Sequence, residues 1–270
     1  MNKAVDPQKN TIMKEYEDCC IVIRGLYNEH LKQNVENIRK VYDGEIIYSA
    51  WNGAALPELK GVKVVFSEDP GPGPIQSIKR VMFSVINALK ETDKSKIFVI
   101  RSDVLFTKVP FYLYDENKIY FSSIMSLPME GFREGAPFGA GASMEDKLPT
   151  RFDYNWFCRF GDLFHLGDKK EIIKLFSYFT KAQERHFLQA LPRCTEQWMF
   201  YRYITEKIAA PDALRDEYDR YIAENIEILN LSDIEGKFTI GVDNHKYDYQ
   251  YYDKAWHLEY KNKFSILEKE

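Results

Sequence analysis

The stretch IFVIRSDVLF, residues 97–106, joins four consecutive apolar residues to the polar triplet Arg101, Ser102 and Asp103, and then returns to apolar residues. Short apolar runs rich in β-branched and aromatic residues are typical of strands buried on both faces, as in parallel sheets. In an open parallel sheet, ligands bind outside the carboxyl ends of the strands. The stretch therefore predicts a buried parallel strand that delivers a charged pair to a ligand site.

Similar apolar runs recur along the chain and alternate with segments of helical periodicity. The first helical segment contains Leu31, Val35 and Ile38, and the second, QSIKRVMFSVINALKE, carries an apolar stripe that includes Met82 and Val85. Strands that alternate with helices predict an α/β fold, with a mainly parallel sheet and helices on both faces. The predicted strands are residues 19–22, 45–49, 62–66, 97–100 and 119–123, with a further candidate at 163–166.

The second half of the chain has a different pattern. Long helical segments begin at residues 168 and 195, and a charged segment follows near 212–228. The last stretch, KYDYQYYDKAWHLEYKNKF, alternates aromatic and polar residues, which is typical of an edge strand or of a cover over the sheet. We therefore expect one α/β domain with a helical carboxyl-terminal part.

Composition and charge exclude several functional classes. The formal net charge is −4, from 37 basic and 41 acidic residues, and no basic run has the density of a nucleic-acid-binding face. The amino-terminal residues lack the apolar core of a signal peptide, and no segment has the apolar length of a membrane span, so a cytoplasmic protein is expected. The five histidines lack metal-ligand spacing, and the four cysteines, which contain no C-x-x-C pair, are expected to be reduced.

The residues that follow each predicted strand are the candidates for ligand binding. The sequence after the first strand, RGLYNEH, lacks the glycine pattern of a dinucleotide site, and the sequence contains no phosphate-binding P-loop motif. The acid instead follows the fourth strand, where a carboxylate commonly serves nucleotide-sugar enzymes by holding a divalent cation or the ribose. The candidates at the strand ends are Arg24, Gly25, Trp51, Asp69, Arg101 and Asp103.

Each candidate also has a purely structural interpretation. Asp103 is either a ligand for the substrate or the partner of Arg101 in an ion pair, because an acid after an apolar strand is costly to bury alone. Trp51 either stacks on a ring of the ligand or belongs to the core. Asp69 either contacts the ligand or opens the turn in DPGPGP. The sequence leaves these alternatives open.

The helix after the DPGPGP loop has a polar face made by Gln76, Arg80, Ser84 and Asn87. Amide groups at the amino end of a helix attract anions, and Arg80, together with Lys79, would strengthen that attraction. This face is therefore either a phosphate site or a solvated surface.

The order of these segments resembles a known family. The segments CIVIRGLYN, NIRKVYDGEIIYSAWNG, VVFSEDPGPGP, KRVMFSVINAL and KIFVIRSDVLF are similar to successive blocks of the WavE lipopolysaccharide synthesis family, which is regarded as a family of GT-A-like glycosyltransferases. The likeness covers residues 19 to about 106, and a weaker one runs through NWFCRFGDLFHLG and TEQWMFYRYI to about residue 204. The family's polar residue before Gly falls on Arg24, and its arginine-serine-aspartate motif falls on Arg101, Ser102 and Asp103.

The resemblance implies an enzyme that transfers a sugar from a nucleotide-diphosphate sugar to an oligosaccharide or glycolipid acceptor, in lipopolysaccharide or capsule assembly, with peripheral contact to the membrane. It implies an amino-terminal extension at 1–18, a nucleotide-sugar-binding half at 19–125 and an acceptor-side half at 126–270. It also implies Mg²⁺ or Mn²⁺ at Asp103, since one carboxylate with phosphate oxygens and waters is enough to hold such a cation.

The acceptor side departs from the family pattern, because Asn155 and Trp156 stand where an Asp-Trp pair is expected. The acids that we assign to catalysis are Asp153, Asp162 and Glu196. Glu196 also suits a structural role near a helix start, and Asp153 and Asp162 equally suit a role as exposed loop acids. Two other functions stay open. A sugar nucleotidylyltransferase would need a glycine-rich basic loop that RGLYNEH lacks. A non-catalytic nucleotide- or glycan-binding protein would keep the same crevice.

Overall fold

Strands and helices alternate through the first half of the fold. The computed structural model describes residues 16–71, 77–125, 161–177, 199–200, 202–204, 206–207, 215–238, 250–252, 258 and 261–262. The strands are β1 (Cys19–Arg24), β2 (Glu45–Trp51), β3 (Lys63–Ser67), β4 (Lys96–Arg101), β5 (Val104–Leu105), β6 (Ile119–Ser122), β7 (Ile124–Met125), β8 (Gly161–Asp168), β9 (Ile226–Leu229), β10 (Lys237–Phe238) and β11 (Gln250–Tyr252). The α-helices are α1 (His30–Val41), α2 (Ile78–Leu89), α3 (Lys169–Phe176) and α4 (Arg215–Asn225), and short 3-10 helices occupy Pro110–Leu113 and Leu231–Ile234.

A seven-stranded sheet in the order β3-β2-β1-β4-β8-β6-β9 lies at the centre of the fold. β1 pairs in parallel with β2 and β4, β3 pairs in parallel with β2, and β9 pairs in parallel with β6. β8 runs antiparallel to both of its neighbours, β4 and β6. The predicted α/β fold with a mainly parallel sheet is therefore confirmed, and one antiparallel strand is inserted in it.

All six predicted strands form, and β11 pairs with β7 as an edge strand in the stretch where an edge strand or a cover is predicted. The helix predicted to begin at 168 begins at Lys169 but ends already at Phe176. It ends there because Ser177 is extended and donates its hydroxyl to the carbonyl oxygen of Ile173. β9 has no counterpart among the predicted strands, since it lies in the segment predicted only as charged.

Helices cover both faces of the sheet, as the alternating pattern predicts. On one face, α1 buries Leu31 against Ile21. On the other face, α2 buries Met82 and Val85 against Val22, and α3 and α4 extend this second layer. Each such fully buried side chain contributes about 1.5–3 kcal/mol through removal of apolar surface from water. Among the helices in the described ranges, none has both the length and the apolar composition needed to cross a membrane.

One edge of the sheet collects the candidate residues. Arg24 ends β1, Trp51 ends β2 and Arg101 ends β4, so all three lie at the carboxyl edge of the parallel strands. Asp162 is the second residue of β8, which runs in the opposite direction, so it lies at the same edge. Residues two apart in a strand share a face, so Arg24 and Arg101 lie on the α2 side of the sheet.

Candidate functional site

Four charged side chains meet at the carboxyl edge of the sheet: Arg24, Arg101, Asp103 and Asp162, called here the Arg–Asp cluster. Nη2 of Arg24 donates to Oδ2 of Asp162 at 3.0 Å and also to the carbonyl oxygen of Asp162. Nη1 of Arg101 donates to Oδ1 of Asp162 at 3.3 Å. The Asp162 side chain therefore joins β8 to both β1 and β4.

Arg101 holds Asp103 in a two-point ion pair. Nε of Arg101 donates to Oδ1 of Asp103 at 2.9 Å, and Nη2 donates to Oδ2 at 2.6 Å. This parallel fork gives a guanidinium and a carboxylate both strength and a defined orientation. Of the alternatives that the sequence leaves open for Asp103, the ion pair with Arg101 is therefore present.

The cluster is largely buried, and Arg101 is its most exposed member. The exposed fractions of the side chains are 5% for Arg24, 9% for Asp103, 12% for Asp162 and 29% for Arg101. Burial lowers the pKa of Arg24, and the charge of Asp162 opposes that shift. Burial also disfavours ionisation of Asp162, but the charges of Arg24 and Arg101 outweigh it and hold the pKa of that carboxyl below its ordinary value. Asp162 is therefore ionised at neutral pH and is a weak general base.

A β-bulge brings Asp162 into the cluster. Phe121 pairs with His165, whereas the next residue of β6, Ser122, pairs with Gly161, so β8 carries extra residues between these two pairs. Bulges of this kind re-aim side chains and are frequent beside functional sites. A Cβ at Gly161 would collide with the backbone and hydroxyl of Ser122. Glycine at position 161 thus allows the close approach of β6 and β8 from which Asp162 extends.

The loop after β1 is fixed against the end of β4. Gly25 has a φ of +115°, and a Cβ at this position would lie 2.7 Å from Oγ of Ser102. The Ser102 hydroxyl donates to the carbonyl oxygen of Leu26 at 2.7 Å, and Nδ2 of Asn28 donates to the carbonyl oxygen of Ser102 at 3.1 Å. The Tyr48 hydroxyl donates to the carbonyl oxygen of Gly25 at 3.0 Å. Both the backbone conformation and the close contact therefore require glycine at position 25.

The candidates Asp69 and Arg80 bind each other near the amino end of α2. Nε of Arg80 donates to Oδ1 of Asp69 at 2.9 Å, and Nη2 donates to Oδ2 at 2.6 Å. Asp69 also accepts from the Gly71 amide at 2.9 Å, which is the turn-opening role considered for it. The hydrogen bonds from Arg80 lower the pKa of Asp69. Ser84, predicted on the polar face of this helix, is instead buried and donates to the carbonyl oxygen of Val81.

His165 is a buried residue near the cluster that sequence reasoning did not select. It is 2% exposed and lies between the rings of Phe121 and Phe176, with centroid distances of 5.0 and 5.2 Å. Burial and the positive charge of Arg24 lower its pKa to about 3, so the ring is neutral. Within the described part of the chain, its Nδ1 has no hydrogen-bond partner. A lone histidine in an apolar run carries no sequence signal beyond that of a core residue.

The donor set of the cluster does not fit a divalent cation. Mg²⁺ and other hard divalent cations bind carboxylate oxygens. The carboxylate oxygens of Asp103 and Asp162 instead accept hydrogen bonds from guanidinium groups. A cation at this place would also be repelled by Arg24 and Arg101. In the ranges that the structure describes, no three His, Cys, Asp or Glu side chains are arranged to hold a metal ion. The geometry of the cluster thus gives no support to the metal role assigned to Asp103.

Other predicted site residues lie elsewhere. Trp51 is half-buried at the end of β2, and both of its interpretations, stacking and core packing, stay predictions. Asp153, Glu196 and Gln76 lie outside the described residues. The cluster therefore accounts for only part of the predicted site.

A cavity of about 460 Å³ lies at the opposite, amino edge of the sheet. It is lined by the starts of β2 and β3 and by Arg39, whose Nη1 donates to the carbonyl oxygens of Tyr42 and Gly44 at 3.3 and 2.7 Å. These contacts tie the end of α1 to the start of β2. None of the candidates at the strand ends lines this cavity, so it is separate from the Arg–Asp cluster.

The structure brings together five of the residues that the sequence places at the site. It also adds Asn28 and Tyr48, which the sequence does not single out and which hold the loop after β1. Tyr48 donates to a backbone carbonyl, and Asn28 donates to both the carbonyl oxygen and the hydroxyl of Ser102, so neither residue leaves a sequence motif. The predicted residues that meet at this edge are Arg24, Gly25, Arg101, Asp103 and Asp162. Comparison of the chain with protein-family models and with curated proteins finds no match. Function therefore has to be inferred from the site itself.

Proposed function

We propose that the chain is a GT-A-like glycosyltransferase of the WavE type. It binds a nucleotide-diphosphate sugar at the Arg–Asp cluster and transfers the sugar to an oligosaccharide or glycolipid acceptor in surface polysaccharide assembly. The observation that carries the proposal is the convergence of Arg24, Arg101, Asp103 and Asp162 at the carboxyl edge of a mainly parallel sheet. Open α/β sheets bind nucleotides in the crevice at this edge.

The sheet order supports the GT-A part of the proposal. β8 is a single antiparallel strand between β4 and β6, and β4 is the strand that ends in the candidate acid. A mainly parallel α/β sheet with the candidate acid at the end of one of its strands is what the resemblance to GT-A-like enzymes implies. This support is an analogy of fold, so the chemical part of the proposal rests on the cluster alone.

The cluster suits a diphosphate leaving group. Transfer breaks the bond between the sugar and the diphosphate, and negative charge develops on the departing phosphate oxygens. A guanidinium pairs well with phosphate oxygens, and a charge held in place before reaction stabilises the transition state without reorganisation. Asp103 and Asp162 hold Arg101 through Nε, Nη1 and Nη2, so Arg101 is oriented in advance. In this scheme Asp103 and Asp162 are positioning residues for Arg101.

An inverting transfer also needs a base for the acceptor hydroxyl. Asp162 is poorly suited, because two guanidinium groups donate to it and its pKa is lowered. We propose Asp153 or Glu196 for this role, as the sequence suggests. Replacing each by its amide, in Asp153→Asn and Glu196→Gln, would separate the two, since loss of the base lowers transfer more than donor binding.

Thermal denaturation with nucleoside diphosphates tests the proposal. A ligand that binds only the folded state raises the melting temperature by mass action. We expect uridine, cytidine or guanosine diphosphate to raise it for the wild type, and Arg101→Ala to remove that rise. Arg80→Ala tests whether the surface pair with Asp69 contributes to binding, and Lys90→Ala, at the far end of α2, is the matched control. No rise with any of the three nucleotides would reject the proposal.

A non-catalytic nucleotide- or glycan-binding protein is the second candidate. The observation that favours it is that both carboxylates of the cluster are engaged by guanidinium groups, so neither is placed to act as a base. Turnover separates the two candidates. A nucleotide that binds at the cluster without hydrolysis or transfer of any donor sugar would favour the binding protein.

A further inference from the structure

The two charged residues at the end of β4, Arg101 and Asp103, have opposite signs and are separated by one residue. Two acids separated by one residue would supply two carboxylates there, and these would balance the charge of one divalent cation. In this chain the first of the two positions is Arg101 and the second is Asp103. One guanidinium and one carboxylate also sum to zero charge. The sequence therefore reaches the same local charge balance without a cation.

The geometry shows how the guanidinium fills that place. Arg101 donates through Nε and Nη2 to the two oxygens of Asp103, at 2.9 and 2.6 Å, and through Nη1 to Asp162 at 3.3 Å. Arg24 donates to the other oxygen of Asp162 at 3.0 Å. A cation at Asp103 would have to displace a bidentate guanidinium from a side chain that is only 9% exposed. It would also add two positive charges beside Arg24.

Exposure decides which group an incoming anion meets. Arg24 is 5% exposed and Asp162 12% exposed, whereas Arg101 is 29% exposed. The most exposed charge of the cluster is therefore the positive charge of Arg101, and its orientation is set by the two carboxylates that it contacts. Phosphate oxygens, like carboxylate oxygens, accept charge-assisted hydrogen bonds from guanidinium groups.

We propose that this site binds its nucleotide diphosphate without a divalent cation, and that the guanidinium of Arg101 supplies the positive charge that a metal ion would supply. The inference rests on the proposed function, because it concerns the same ligand and the same cluster. It differs from the expectation that Mg²⁺ or Mn²⁺ binds at Asp103.

Isothermal titration calorimetry on the full chain tests the inference, with uridine, cytidine and guanosine diphosphate as ligands in excess EDTA and in excess Mn²⁺. For the nucleotide that binds, we expect dissociation constants that agree within about threefold between the two conditions. Arg101→Gln should weaken binding in EDTA by about tenfold or more, because charge-assisted hydrogen bonds are lost. Lys90→Ala should leave binding unchanged. If Arg101→Gln does not fold, Arg101→Lys replaces it, because lysine keeps the charge without the two-point contact. The comparison of wild-type affinity in EDTA with that in Mn²⁺ tests the inference without any variant.

Binding of Mn²⁺ alone, measured by electron paramagnetic resonance, separates failure of this inference from failure of the proposed function. Nucleotide binding that is about tenfold tighter with Mn²⁺ would overturn the inference but keep the function. A Mn²⁺ site in the wild type that disappears in Asp103→Asn would also overturn it. If no nucleotide binds in either condition, the proposed function fails, and the Mn²⁺ measurement still decides whether Asp103 is a metal ligand.

Discussion

Arg24 at the end of β1 and Asp162 at the start of β8 are 138 positions apart in the chain, yet Nη2 of Arg24 lies 3.0 Å from Oδ2 of Asp162. Both side chains are nearly buried, with 5% and 12% exposed. Buried charges are costly unless they are paired, so each of these residues depends on the other. Since Asp162 also accepts from Arg101, the contact that attaches β8 to β1 helps to orient the most exposed arginine of the site.

Asp162→Asn should strongly destabilise the protein. The amide cannot balance Arg24 and Arg101, and breaking a buried ion pair by removing one partner costs about 3–5 kcal/mol. Urea unfolding of the wild type and the variant measures the loss. Asp69→Asn is the matched control, because it breaks a two-point pair that lies on the surface, and we expect little change there. Equal effects of the two variants would mean that the Asp162 pair is solvated rather than buried.

His165 should make the fold sensitive to acid. Its pKa is about 3 in the folded protein, against an ordinary value of 6.5, so it stays neutral in the fold while the unfolded chain takes up a proton. The stability that depends on neutral His165 is therefore complete above about pH 6.5 and is lost as the pH falls toward 3. When the pH falls from about 7 to 4.5, we expect the free energy of unfolding of His165→Phe to fall by about 1–3 kcal/mol less than that of the wild type.

Urea unfolding at the two pH values checks this expectation, and His165→Gln separates ionisation from packing. Glutamine keeps a polar group at this buried position but does not titrate, so the stability of His165→Gln should change between the two pH values as little as that of His165→Phe, whatever the substitution itself costs. A wild type and a His165→Phe variant with the same pH dependence would show that His165 does not control acid sensitivity.

The parts of the fold that local patterns predict are the strands β1 to β4, β6 and β8, the helices α1 and α2, and the start of α3. Their apolar periodicity appears within short windows, and the shared edge of parallel strands then places Arg24 and Arg101 together. β9 escapes prediction because Ile226 follows α4 directly, without a Gly or Pro between the helix and the strand. The antiparallel direction of β8 and the bulge that aims Asp162 depend on pairing with β4 and β6, which no local pattern encodes.

Gly25→Ala should disturb both stability and nucleotide binding. The residue has a φ of +115°, and its new Cβ would lie 2.7 Å from Oγ of Ser102, so the loop after β1 must shift. We expect a loss of about 1–3 kcal/mol from the strained backbone conformation, together with weaker nucleotide binding. Gly53→Ala is the matched control, since Gly53 also has a positive φ, of +83°, but a Cβ there would meet nothing within 4 Å.

Urea unfolding and nucleotide titration of both glycine variants measure these effects. We expect Gly53→Ala to lose only the backbone contribution, about 1 kcal/mol, and to keep its nucleotide affinity. If Gly53→Ala weakened nucleotide binding as much as Gly25→Ala does, the contact between Gly25 and Ser102 would not be the cause.

Asp103→Asn separates two roles for the acid after β4. If Asp103 orients Arg101, the amide keeps one acceptor oxygen but loses the charge and one half of the fork, while Asp162 still holds Arg101. Stability should fall by about 1–3 kcal/mol, less than for Asp162→Asn, because Arg101 is 29% exposed and therefore partly solvated. Nucleotide affinity in EDTA should fall less than in Arg101→Gln, and combining the two substitutions should give a smaller loss than the sum, since both act on one contact.

Melting temperature, nucleotide titration and donor turnover, measured on one preparation of Asp103→Asn, distinguish the two roles. Unchanged stability, with turnover that depends on Mn²⁺ in the wild type and falls by about a hundredfold in the variant, would instead make Asp103 a direct ligand of a cation.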